Sequence, residues 1–251
     1  MRVAVLSDTH GNLPALEAVL EAIEQDSPDL VVMAGDAAFG GPWPAECIDF
    51  LRQRGIPAVR GNTDEFLVAV ATGRPPATPV EDPRLDHLAS SALAARYAWC
   101  VERLRSEQID YLASLPLRFV VPAPTGAALV IVHATPSSPH PVVPPDAPSE
   151  RLRALLDESG GAALAYGHIH QQARWQIGSR LVVAVGSVGL PFDGDQRAAY
   201  ALLEWNGTSW SARFQRVPYP VERTIQALEH SGMPGAETQI RVLQTARPPG
   251  A

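Results

Sequence analysis

The sequence predicts an α/β fold built on a mainly parallel sheet, and three observations carry that prediction. Short apolar runs of strand length recur along the 251 residues, and they end in Gly, Asp, His or Asn. Most of them are followed by stretches of helical character. The runs do not alternate polar with apolar residues, as expected of strands covered by other layers on both faces.

Residues 3–6 form the first run. A helix follows over 13–24, where Leu16, Val19, Leu20 and Ile23 recur at helical spacing, and 30–34 completes a strand-helix-strand start. Further strands are expected at 57–59, 128–132, 162–166 and 181–185. Residues 199–205 and 209–217 are joined by Asn206-Gly207, a hairpin signal because both residues tolerate positive φ, so a second sheet or an antiparallel edge is expected. Residues 220–230 read as a helix closed by Gly232, and the tail 233–251, rich in Pro, Gly and polar residues, is expected to fray.

Residues 65–118 interrupt this rhythm and read as a helical cap inserted into one domain that spans 1–251. A loop rich in Pro, Thr and Asp covers 72–83, and Leu85, Leu88, Ala92, Ala95 and Trp99 then form one helical stripe. Tyr97 and Trp99 read as helix packing. Residues 135–148 carry six prolines and make a stiff loop at the rim of whatever site the strand ends form.

Composition narrows the function. Apolar residues make up 46% and charged ones 19%, which supplies a core and excludes wholesale disorder. All 20 basic residues are Arg, so Schiff-base and P-loop lysine chemistries are excluded. The net charge of -7 argues against unspecific binding to duplex nucleic acid. The first residues are too short an apolar run for a signal peptide, and no window approaches a spanning helix. Cys47 and Cys100 form no CxxC pair and are expected to be buried and reduced, so a cytoplasmic location with no membrane contact is expected.

The chemistry lies at the strand ends. In order they present Asp8-Thr9-His10, Gly35-Asp36, Gly61-Asn62-Thr63-Asp64, His133 and Gly167-His168-Ile169-His170. In open α/β sheets the loops beyond the carboxyl ends of the strands converge on one crevice. Carboxylates and imidazoles without Cys suit Mn, Fe, Ni, Co or Zn in an open catalytic site. Two ions about 3.5 to 4 Å apart need a bridging carboxylate, for which Asp36 is the natural choice. His87, His140 and His230 lie away from the strand ends and are not expected to be ligands. Asp64 is expected either to orient an imidazole such as His10 or His133 or to cap a helix; Asn12 either to donate to a phosphate oxygen or to cap the helix from Leu13.

This series of blocks resembles the calcineurin-like metallophosphoesterases, in their smaller bacterial and archaeal phosphodiesterase-type branch, and the stretch 186–198 is similar to the same branch. The resemblance covers about 1–205 of the chain. It implies a four-layer αββα sandwich of two mixed sheets flanked by helices. It further implies two divalent ions, Mn favoured: the first held by Asp8, His10, Asp36 and His170, the second by Asp36, Asn62, His133 and His168. Many relatives carry His or Cys where Thr63 stands, at a position that touches the phosphate or protonates the leaving group. The implied reaction is hydrolysis of a phosphodiester in a small phosphate-ester or nucleotide substrate by a hydroxide that bridges the ions. Phosphomonoesters and dinucleoside polyphosphates are the alternative substrates, and a non-catalytic nucleotide sensor or protein scaffold is the alternative of another class.

Overall fold

A computed structural model describes residues 1–78 and 92–249. The first sheet runs β2-β1-β8-β9, from β1 (Arg2–Leu6), β2 (Leu30–Met33), β8 (Ala198–Trp205) and β9 (Trp210–Val217). The second runs β3-β4-β5-β7-β6, from β3 (Arg118–Val121), β4 (Leu129–Val132), β5 (Ala163–Tyr166), β6 (Gln172–Ile177) and β7 (Arg180–Val185). Both are mixed: β1-β2, β4-β5 and β5-β7 pair parallel, and β1-β8, β8-β9, β3-β4 and β6-β7 antiparallel.

Side-chain alternation turns these sheets into a four-layer stack. Val3 and Val5 of β1 join Leu129, Ile131, Ala163, Ala165, Val183 and Ala201 in a core between the sheets. Ala4 and Leu6 point the other way, against α1 (Leu13–Asp26), α2 (Pro44–Gln53), α7 (Val221–His230) and α8 (Ala236–Thr245). On the far face of the second sheet, Val130, Val132, Leu164 and Tyr166 meet Leu152, Leu155 and Leu156 of α6 (Ser149–Ser159). Each fully buried Leu or Val contributes about 1.5 to 3 kcal/mol relative to exposure, so three such cores fix the strand order.

The structure differs from the sequence reading in four places. Residues 57–59 form a single bridge, Met33 to Ala58, and not a strand, because Pro57 has no N–H to extend a ladder. β3 and β6 were not anticipated; they are the edges of the five-stranded sheet, and Gln172, Arg174 and Gln176 keep one face of β6 polar. The tail expected to fray over 233–251 instead forms α8, anchored by buried Met233, Val242 and Leu243.

The fourth difference lies in the segment expected to be a helical cap, where the described helices are α3 (Asn62–Thr72), α4 (Ala92–Val101) and α5 (Ser106–Ser114). Leu85 and Leu88 of the expected stripe lie outside the described residues. Ala92 and Ala95 are exposed, and α4 buries Arg96, Tyr97, Trp99 and Cys100. The packed face follows the larger side chains Tyr97 and Cys100, a register that small alanines do not reveal. Cys47 and Cys100 are both buried and free. Among the described residues no helix is long and apolar enough to cross a membrane.

Candidate metal centre

Five loops meet at the carboxyl ends of β1, β2, β4, β5 and β7, and main-chain hydrogen bonds tie them together. Asp8 N–H donates to the Gly35 carbonyl and His10 N–H to that of Asp36, each at 3.0 Å. Gly167 N–H reaches the His133 carbonyl at 2.9 Å, and Val188 N–H that of Ser7 at 2.9 Å. The approach is close enough that a Cβ on Gly61 would overlap Asp36 Oδ1 and one on Gly167 would overlap Ser7 Oγ, which is why these two positions are glycine. Asp8, His10, Asp36, His168 and His170 all have φ between 50° and 65°, in the left-handed region.

The seven expected ligands are brought into one cluster. Oxygen and nitrogen atoms of Asp8, His10 and His170 converge in one group, and those of Asp8, Asp36 and His133 in another. Asp36 Oδ2 stands 3.7 Å from His10 Nε2 and 3.6 Å from His133 Nε2, between the two groups. Asn62 Oδ1 lies 2.8 Å from His133 Nε2 and 3.1 Å from His168 Nδ1, so Asn62 and His168 extend the second group. His140 sits outside the cluster with Nε2 3.0 Å from Glu65, and His230 is bonded to its own helix; His87 lies outside the described residues.

Main-chain carbonyls set the imidazoles, a role that the sequence did not disclose. His10 Nδ1 lies 2.6 Å from the Phe39 oxygen, His170 Nδ1 2.6 Å from that of Leu190, and His133 Nδ1 2.8 Å from that of Ala34. A carbonyl can only accept, so each Nδ1 carries the hydrogen and each Nε2 turns its lone pair inward. The stretch 186–191 provides the Leu190 oxygen, and Ser187 Oγ ties it down by donating to the Asp8 carbonyl at 2.8 Å.

The three residues with open roles are placed as follows. Asp64 bonds no imidazole: it accepts the N–H groups of Gly61 at 2.8 Å, Asp36 at 3.0 Å and Ala37 at 3.3 Å, capping α3 and fixing the loop that carries Asp36. Asn12 is a helix cap without a free donor, because Oδ1 accepts from Ala15 N and Thr224 Oγ1 while Nδ2 donates to Gly189 O and Tyr219 Oη. Thr63 donates its N–H to Asp36 Oδ1 at 3.0 Å at the N-terminus of α3, where the helix dipole favours a carboxylate, and its buried hydroxyl has no partner.

The electrostatics call for cations. His10 Nε2 and His170 Nε2 are 3.1 Å apart with their lone pairs facing, an arrangement that needs a proton or a metal between them. Buried Asp8 Oδ1 and His168 Nε2 make no hydrogen bond, as expected of atoms kept for an ion. Burial pushes the His10 imidazole down, but Asp8 and Asp36 outweigh it and lift it to about 9. Burial and the neighbouring His133 push His168 down to about 4. Burial, with the charge of Asp36, raises Asp64 to about 6 against the pull of its backbone donors. Hard oxygens and imidazoles without thiolates fit divalent Mn, Fe, Ni or Zn.

Comparison with known proteins agrees with this geometry. Residues 1–208 match the calcineurin-like phosphoesterase superfamily domain. An uncharacterised protein of Methanocaldococcus jannaschii is 24% identical over 92% of this chain and 93% of its own. The crystal structure of a metallophosphoesterase from Sphaerobacter thermophilus superposes with a TM-score of 0.75 at 26% identity, covering 98% of this chain and 99% of the other. A hypothetical protein of Pyrococcus horikoshii shares the fold at a TM-score of 0.80 and 21% identity, over 98% and 99% of the two chains. Because the family match spans residues 1–208, this protein belongs to the calcineurin-like phosphoesterase superfamily, a metal-dependent family, and is a hydrolase acting on phosphate esters.

Proposed function

We propose that the chain is a two-metal phosphodiesterase acting on a small phosphate-ester or nucleotide substrate, with Mn as the favoured ion. The observation that carries this reading is the pair of ligand groups that share Asp8 and have Asp36 between them. Asp8, His10, Asp36 and His170 would hold one ion, and Asp36, Asn62, His133 and His168 the other. Two such ions, when bound, polarise a phosphoryl oxygen and acidify a shared water.

The chain's own residues then do the rest. Asp8 and Asp36 return two negative charges against about four positive ones, so the site keeps an excess of about two that attracts phosphate despite the net charge of -7. The Nδ1 bonds to Phe39, Ala34 and Leu190 hold three imidazoles in the ligating tautomer. Asp64 fixes the loop of Asp36. The Thr63 hydroxyl, buried and without a partner among the described residues, would donate a hydrogen bond to a phosphate oxygen. A hydroxyl is too weak an acid to deliver a proton at neutral pH, so esters with good leaving groups are favoured.

The test is hydrolysis of bis-p-nitrophenyl phosphate against p-nitrophenyl phosphate by metal-stripped protein, with Mn, Ni or Zn added back, beside Asp36→Ala. Turnover of the diester that needs metal and is lost in the variant is expected. Preference for the monoester would move the assignment to a phosphomonoesterase. Absence of turnover with two ions bound would move it to a nucleotide sensor or scaffold.

A further inference from the structure

The helix α4 meets the loop behind the candidate metal site through a stacked aromatic pair. Tyr97, 3% exposed, stacks on Phe39 with ring centroids 3.9 Å apart and planes 14° from parallel. The Phe39 carbonyl accepts the His10 Nδ1–H at 2.6 Å, the bond that aims Nε2 at Asp8 and His170. The chain from His10 to Phe39 has little slack, because His10 N–H and Gly11 N–H each donate at 3.0 Å into the loop, to Asp36 and Ala37. After Phe39, Gly40 has φ +110°, and a Cβ on Gly41 would overlap the His10 carbonyl. The Phe39 ring is thus a buried anchor of the same tight loop that presents the Phe39 carbonyl to His10.

Tyr97 is itself held from two other directions. Phe66 of α3 lies against it at 5.7 Å, and the adjoining Arg96 donates to the carbonyls of Pro234 at 3.1 Å and Gly235 at 3.0 Å, between α7 and α8. The Tyr97 hydroxyl makes no hydrogen bond among the described residues, so the ring and not the hydroxyl makes the connection. Burial, with the charge of Asp36 next, holds the phenol well above its ordinary range.

We propose that Tyr97 is a positioning residue for the first metal site: its ring fixes the Phe39 carbonyl, and through it His10, so that the cap and the ion at Asp8, His10 and His170 are energetically coupled. The inference rests on the two-metal reading. Removing an outer partner of a ligating imidazole costs about 10- to 100-fold in metal affinity. Coupling is reciprocal, so the ion must also tighten the cap.

The test is calorimetric titration of Mn into stripped wild type, Tyr97→Phe and Tyr97→Leu, with His10→Ala and His168→Ala identifying the two binding events. Expected are two events in wild type and Tyr97→Phe, and in Tyr97→Leu a loss of about tenfold confined to the event that His10→Ala removes. Unchanged binding in Tyr97→Leu, equal weakening of both events, or a Tyr97→Phe as weak as Tyr97→Leu would each overturn the proposal. Should Tyr97→Leu not fold, amide exchange in wild-type α4 decides: slowing by Mn that His10→Ala abolishes is expected, and no slowing refutes the coupling. A wild type that takes up no Mn would fell the two-metal reading and this inference together, whereas two ions bound alike in wild type and Tyr97→Leu would fell the inference alone.

Discussion

Glu65 lies one residue beyond Asp64, with its side chain only 1% exposed. It is held by Thr78 Oγ1 at 2.7 Å, His140 Nε2 at 3.0 Å and Arg60 Nη1 at 3.2 Å, and so gathers the proline loop and the start of the insertion around α3. Burial raises its pKa, but the bonds from His140, Thr78 and Arg60 outweigh it and hold the carboxyl below its ordinary value. A depressed folded-state pKa contributes stability that is full above the unfolded value and is lost as pH falls through the folded one. Glu65→Gln should therefore lose about 1 to 3 kcal/mol at pH 7, with the deficit shrinking as pH drops below the ordinary glutamate range. Urea unfolding between pH 7 and 3 checks this, and a constant deficit across that range would contradict it. At this scale the clustered side chains were legible because Asp, His and Asn at strand ends are chemically distinctive. The carbonyls of Phe39, Ala34 and Leu190 were not, because every residue has a main-chain oxygen and only the fold selects which ones are used.

Among the elements, α1 resolves the two readings of Asn12 in favour of the helix cap. Asn12 stands two residues from His10, so its amide could have served either purpose, and the structure commits both ends of it inside the protein. Asn12→Ala should destabilise by about 1 to 2 kcal/mol with an unchanged denaturant slope and an unchanged KM for the diester; a raised KM at full stability would restore the phosphate-binding role. The strands β1, β2, β4, β5 and β7 were legible as uninterrupted apolar runs, and β8 and β9 through the Asn206-Gly207 hairpin signal. The strand β6 was not, because its solvent face is polar, and β3 was not, because it is a run of four residues directly after the segment read as a cap. The register of α4 was misread for a related reason: alanine packs or faces water with little difference in energy, so Ala92 and Ala95 carried no information about which face Tyr97 would bury.

Over the whole molecule, the candidate metal site draws side chains from both sheets, Asp8, His10 and Asp36 from the first and His133, His168 and His170 from the second, so the core between the sheets is also what holds this cluster together. The sequence pattern alone gave an α/β protein with a second sheet or antiparallel edge; the four layers came from the resemblance, because strand runs do not say which sheet each strand joins. The left-handed backbone at five of the seven candidate ligands bears on the chain's evolution and engineering. Such conformations cost on the order of 1 kcal/mol each for residues other than glycine, together a sizeable share of a typical domain's stability. Activity and robustness are therefore opposed in this scaffold: a lineage released from catalysis could gain heat tolerance by trading ligands for glycine. His168→Gly should melt about 1 kcal/mol later than wild type in EDTA and earlier than wild type with saturating Mn, and a variant that melts earlier in both would show that the ligand loops are not held against their own preference.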